Sequence, residues 1–312
     1  DSCLLTRGLV DLNLPKHFHH STMAVLKPLN VGLIITGGIY LLGVITNFLP
    51  QSNPLLGGNP SALIIQEEGL PHDFQVSHLA ALVWMHSSGF MTMIAFTLIA
   101  VGALCREAGL LRALSVTFIL TIFIGLALDV LFPAVPGKTV DSFVVLMSSL
   151  IVFPLVSGIL CHRNSEGVAQ GKGPLNKFFI MQGCIWLLLE IDDWQYSPIF
   201  GGNPEKLVGQ WAGAGYKLTR FDEHALMTSD FFGSQVTIFL FLMGALTANK
   251  LLLRTWGMLL IVFEMYCLYT VYVWGFSEAM SYHMPETYII GNTLTWFPLC
   301  IGIGVSFFVG PS

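Results

Sequence analysis

The chain has 312 residues, of which 54% are hydrophobic and only 11% charged, with a mean hydropathy of +0.70. A soluble domain carries about a quarter charged residues, so composition excludes an ordinary water-soluble globule and makes lipid the main solvent. The net charge of −5 and pI near 6.0 leave no electrostatic footprint for a nucleic-acid partner.

A helix that crosses a bilayer needs ~20 mostly apolar residues, because its backbone must satisfy its own hydrogen bonds in hydrocarbon. Residues 1–28 form a polar N-terminal segment, and "HFHH" at 17–20 reads there as a solvated stretch rather than a metal site. The first span is expected near 29–49, followed by the proline-bounded turn "NPLLGGNP" at 53–60. The second, near 76–105, opens on His78 and carries His86; the third, near 113–132, has Asp129 towards its end. A fourth near 140–161 leads into a linker at 162–174. The fifth, near 176–191, runs into "SPIFGGNP" at 197–204. The sixth, near 225–248, holds Asp230, the seventh, near 255–278, holds Glu264, and the eighth lies near 285–309. These runs are too long and unbroken for barrel strands, which alternate over ~10 residues. The expected fold is an all-α polytopic membrane protein with eight transmembrane helices.

Basic residues set the orientation. The side holding the N-terminus has Arg7, Lys16, Lys27, Arg106, Arg112, Arg163, Lys172, Lys177, Lys250 and Arg254, ten in all, against Lys138, Lys206, Lys217 and Arg220 opposite. This bias predicts both termini on the cytoplasmic, stromal or matrix side. The start at Asp1 is what removal of a targeting segment or tag would leave.

The two GGNP turns belong to a longer pattern. "GGIYLLGVI" at 37–45 lines up with "GCIWLLLEI" at 183–191, and "FPLVSGI" at 153–159 with "FPLCIGI" at 297–303. "LLR" at 110–112 and "GAL" at 102–104 both recur 142 positions on. The landmarks keep their order, which predicts two tandem four-helix repeats, 29–161 and 175–312. Because each has an even number of spans, both insert the same way up. In each repeat the turn glycines supply positive φ and the proline fixes the exit direction.

Ionisable groups are costly inside a membrane and are functional candidates by default. His78, His86, Asp129, Asp230 and Glu264 are the candidate ligand-binding residues, and His86, Asp230 and Glu264 the catalytic candidates. Asp141, Glu190, Glu278 and Glu286 read as interfacial groups reaching water. At an offset of 142, Ser88 stands opposite Asp230, Thr228 opposite His86 and Ile122 opposite Glu264. Polar groups placed so unevenly point to one binding site on a duplicated scaffold. Glycines at 37, 38 and 43 and at 302 and 304 offer faces that neighbouring helices can approach closely.

Other chemistry is sparse. No complete phosphate loop, GxGxxG, HExxH or CxxC occurs, and no metal site is expected. None of the six cysteines lies in a loop on the GGNP side, so no structural disulfide is implied. Each half resembles a four-helix DoxX-like membrane module: a helix, a proline-bearing loop, a His-bearing second helix and an Arg-flanked third. That resemblance is architectural and implies no particular activity. Three classes of function fit. One is a non-enzymatic subunit or binding protein holding a lipid, quinone or pigment between helices, with chlorophyll, haem or quinone as possible cofactors and membrane lipids or other membrane subunits as partners. The second is an intramembrane acid–base enzyme, an isomerase or cyclase, on an apolar lipid or terpenoid. The third is a transporter with an outward-facing cavity.

Overall fold

The computed structural model describes residues 30–53, 56–131, 151–166 and 217–269. It adds short pieces at 180, 184, 187–188, 195–196, 201–203, 205–206, 301–302 and 305. Within them the chain is helix and turn with no strand: α1 (Val31–Ile45), α2 (Pro60–Glu68), α3 (His78–Leu104), α4 (Ala108–Leu131), α5 (Phe153–Glu166), α6 (Arg220–Leu246) and α7 (Lys250–Tyr269). Four stretches are long and apolar enough to cross a membrane: Val31–Phe48, His78–Leu104, Ala108–Ala127 and Arg220–Leu246. Most of the expected fifth and eighth spans, half of the fourth and the end of the seventh fall outside the described residues.

Surface pattern agrees with a lipid environment. On α1, Val31, Ile35, Ile39 and Leu42 are exposed, Leu42 by 68%, at the three- and four-residue spacing of one helix face. On α4, Val116, Leu120, Phe123 and Ile124 do the same. In water such stripes would aggregate. Against acyl chains they cost nothing.

α1 and α3 cross antiparallel at small residues. A Cβ on Gly37 would stand 2.7 Å from the Ala95 carbonyl oxygen, and one on Gly102 3.0 Å from the backbone of Asn30. The Asn30 side chain donates to the Cys105 carbonyl at one end of this pair (3.2 Å), and Asn47 donates to the Ser88 hydroxyl nearer the other (2.8 Å). α5 closes the group: the Ser115 hydroxyl of α4 donates to the Gly158 carbonyl at 2.8 Å, and Phe153 stacks on Tyr40 of α1 at 4.3 Å. Helices α1, α3, α4 and α5 therefore form one bundle.

α6 lies against α3, and the two run parallel. At their N-terminal ends the Ser77 hydroxyl donates to the Asp222 carboxylate, and Phe74 meets Phe221 edge-on at 5.4 Å. At their C-terminal ends Glu107 accepts from the Thr247 hydroxyl (2.8 Å), while the Asn249 side chain donates to the Leu104 carbonyl (2.6 Å). α7 packs antiparallel on α3, with Phe263 beside Gly89 and Phe90, and α4 packs on α6 through Phe118 and Phe239.

Helix starts differ from the expected ones by five residues in three places. α4, α6 and α7 begin at 108, 220 and 250, not at 113, 225 and 255. Polar caps account for two of these. Thr219 and Asp222 form a reciprocal capping box for α6, and Asn249 accepts from the N–H groups of Leu251 and Leu252. Asp222, expected in a loop, is therefore a fully buried capping residue. The connection between the first two spans also contains an extra element, α2, capped by Asn59, started by Pro60 and stopped by Gly69 in the left-handed conformation.

The two GGNP turns share a local conformation. Gly57 and Gly201 have φ of 81° and 76°. A Cβ on Gly58 would collide with the Pro50 carbonyl, and one on Gly202 with that of Gln195. Asn59 accepts from the Ser61 N–H at 2.9 Å, and Asn203 from the Glu205 N–H at 2.8 Å.

Candidate functional site

Midway along the bundle, aromatic rings from four helices leave a small crevice. Tyr40 and Phe153, already stacked, form one wall, and Phe231 and Phe232 of α6 form another. Ile94 and Leu98 supply the α3 side, and Phe118 and Thr121 the α4 side. Bulky planar side chains pack well edge to face but leave gaps where several meet. Here five helices converge, and the gap stays open.

One polar group points at this space unpaired. Gln235 of α6 is only 6% exposed, lines the crevice, and its Nε2 has no hydrogen-bond partner. Thr121, the neighbouring hydroxyl, already donates to the Thr117 carbonyl at 2.8 Å. Gln235 lies fifteen residues into α6, about 22 Å from its start at 1.5 Å per residue. A buried donor left unmade costs its full desolvation, so the position calls for an acceptor. Asn30, Ser157 and Trp256 also carry unpaired buried polar atoms, but they do not line the crevice.

The ionisable candidates lie elsewhere. His78 is the first residue of α3, just after the Ser77 cap, and is half-buried. His86 sits eight residues further along, about 12 Å deeper, and is also half-buried. Glu264 on α7 is 2% exposed. Because Phe263 and Tyr266 meet α3 at Gly89 and Met85, His86 and Glu264 share one layer. Asp230, half-buried on α6, falls near that layer, since α6 runs beside α3 in similar register. Each of these four side chains is engaged in a contact of its own, and none lines the crevice. The side chain of Asp129, in the last turn of α4, lies outside the described residues, as do Asp141, Glu190, Glu278 and Glu286. Among the described residues no three His, Cys, Asp or Glu side chains are grouped as a metal would require.

Gln235, Tyr40 and Thr121 were not among the sequence candidates. A search for ionisable groups passes over a neutral amide, yet a lone glutamine among the apolar residues of "FFGSQVTIFLFL" carries a readable signal.

At the GGNP face, a second polar cluster joins the halves. Glu68 of α2 lies 3.8 Å from the His224 ring of α6. Beside it, burial and then the charge of Glu68 push the Glu67 carboxyl up to about 7.

No family model, curated protein or solved structure matches the chain. The likeness to DoxX-like modules therefore rests on architecture alone.

Proposed function

We propose that this protein is a multi-pass membrane protein of two tandem, same-orientation four-helix repeats, 29–161 and 175–312, that holds an apolar ligand between its helices. It acts as a non-enzymatic binding protein or subunit of a membrane complex. The observation that carries the reading is the aromatic crevice with the unpaired Gln235 amide at mid-helix depth. Ligand pockets are mostly apolar with a few placed polar groups, and this lining has that character.

The repeat is supported by registers. α3 and α6 are both 27 residues long and start 142 positions apart, each behind a hydroxyl cap, Ser77 or Thr219. Parallel packing of α3 on α6 fits halves inserted the same way up. The α3–α7 and α4–α6 contacts exchange under the same offset, as a pseudo-twofold requires. That offset puts Met93 where Gln235 stands and Phe263 where Thr121 stands. The counterpart positions are thus apolar, which favours a single site.

Burial of Glu264 in the same layer as His86 favours acid–base enzymology as a second reading, with those residues as acid and base. The crevice, however, offers no carboxylate or imidazole to a substrate held there.

The test is native mass spectrometry with absorption spectroscopy of protein purified gently from its own membrane. A binding protein arrives with a stoichiometric apolar ligand or with partner chains, and Ile94→Trp, which fills the crevice, loses the ligand. A ligand-free monomer that turns over an added lipid would defeat the reading.

A further inference from the structure

We infer that the outer face shared by α4 and α5 binds an anionic phospholipid, with Arg112 and Arg163 taking its phosphate and the apolar residues beside them taking its acyl chains. This site is separate from the crevice and does not depend on what the crevice holds.

The two helices pack side by side and run antiparallel. Ser115 of α4 donates to the Gly158 carbonyl of α5, and further along Phe118 and Thr121 meet Phe153 and Pro154. From the Ser115–Gly158 contact, Arg112 and Arg163 both lie towards the same end, about 4.5 and 7.5 Å away at 1.5 Å per residue. The two positions therefore stand within about one helical turn of each other. Both arginines are exposed.

Rotation puts them on one side of the pair. At about 100° per residue, Arg112, Val116, Leu120 and Phe123 lie about 60–140° round α4 from Ser115. In the same sense, Leu155, Val156, Ile159 and Arg163 lie about 60–160° round α5 from Gly158. Equal rotations on two antiparallel helices open on the same side. All six apolar members are exposed, Phe123 by 66%, so the two arginines stand at the end of one continuous apolar strip.

A guanidinium stays charged and meets phosphate oxygens through paired N–H bonds, and its alkyl stem covers apolar surface while the head reaches the headgroup layer. The acidic neighbours are engaged elsewhere. Glu166 lies 3.6 Å from the His162 ring, and Glu107 accepts from the Thr247 hydroxyl and the Arg106 N–H. The Arg106 guanidinium donates to the Cys105 carbonyl. This end of the face thus keeps an excess of positive charge. A zwitterionic lipid would bring a cation of its own into that field, whereas an anionic lipid brings none.

Native mass spectrometry of the full chain in detergent tests this, with palmitoyl-oleoyl phosphatidylglycerol titrated against the phosphatidylcholine of the same chains. The first phosphatidylglycerol is expected to bind at least fivefold more tightly, since each basic residue near an anionic surface is worth roughly that factor. Arg112→Gln with Arg163→Gln should cut the preference to below about twofold and leave phosphatidylcholine binding unchanged. Arg112→Lys with Arg163→Lys should retain most of it. Lys217→Gln with Arg220→Gln removes as much charge from the opposite end of the bundle and should retain all of it. A readout that needs no variant is salt: raising ammonium acetate about tenfold should weaken the preference of the wild type. Equal affinity of the two lipids for wild type, a preference indifferent to salt, or one that survives the paired Gln variant overturns the inference. So does an equal loss in the opposite-end pair, which would leave only net charge at work.

Discussion

Glu67 is the residue whose charge state the fold disturbs most plainly outside the spans. It sits in the last turn of α2, partly covered and next to Glu68, and its carboxyl rises from 4.5 to about 7. A raised folded-state value means that the fold favours the protonated form. This contribution is fully present below about pH 4.5 and is lost as pH climbs through about 7. Glu67→Gln is permanently neutral, so it should match wild type at pH 4 and melt at a higher temperature at pH 8. The gap should be at most about 3 kcal/mol, and less to the extent that water still reaches the carboxylate. Thermal unfolding in detergent at the two pH values checks this, and a gap independent of pH would contradict it. Gln235 shows the opposite case. Its type and apolar neighbours are visible in sequence, but an amide in a span pairs with a neighbouring helix as readily as with a ligand. Only the three-dimensional placement of Phe231, Tyr40 and Thr121 shows that no protein acceptor reaches it.

At the scale of elements, the α1–α3 crossing depends on one face of a glycine pair. Gly37 presses against Ala95 and Ile99, whereas Gly38 has nothing within 4 Å. Gly37→Leu should force the helices apart and destabilise by about 1–3 kcal/mol, the usual cost of overpacking. Gly38→Leu should be close to neutral. Parallel melts of the two variants decide this; equal effects would mean the crossing is not set by Gly37. The sequence pattern placed this glycine face correctly for Gly37 only; Gly38, Gly43 and Gly302 meet nothing, and Gly304 lies outside the described residues. Helix existence was legible because 20-residue apolar runs have few alternatives. Helix starts were not, since hydropathy stops at the first charged residue. Arg220, Asp222 and Glu223 nevertheless continue α6 by a turn, because Thr219 and Asp222 satisfy its first N–H groups.

For the whole molecule, the two ends of the α3–α6 pair explain how the halves hold together. At one end Ser77 meets Asp222 and Glu68 meets His224; at the other, Glu107 and Asn249 reach across to the opposite half. Between these polar clasps the contact is apolar, and the crevice opens beside it. Matching landmarks in the sequence are the basis of the proposed duplication, because turn chemistry and caps recur at a nearly constant offset. The site was not legible as a place, because it is assembled from residues 40, 94, 121, 153 and 235, which no spacing rule brings together. The most direct measurement is cryo-electron microscopy of the full chain in nanodiscs made from its own lipids. Two four-helix halves of the same orientation should appear, with density for an apolar ligand between the helices beside Gln235. Halves of opposite orientation, or a crevice closed by side chains with Gln235 paired to protein, would contradict it.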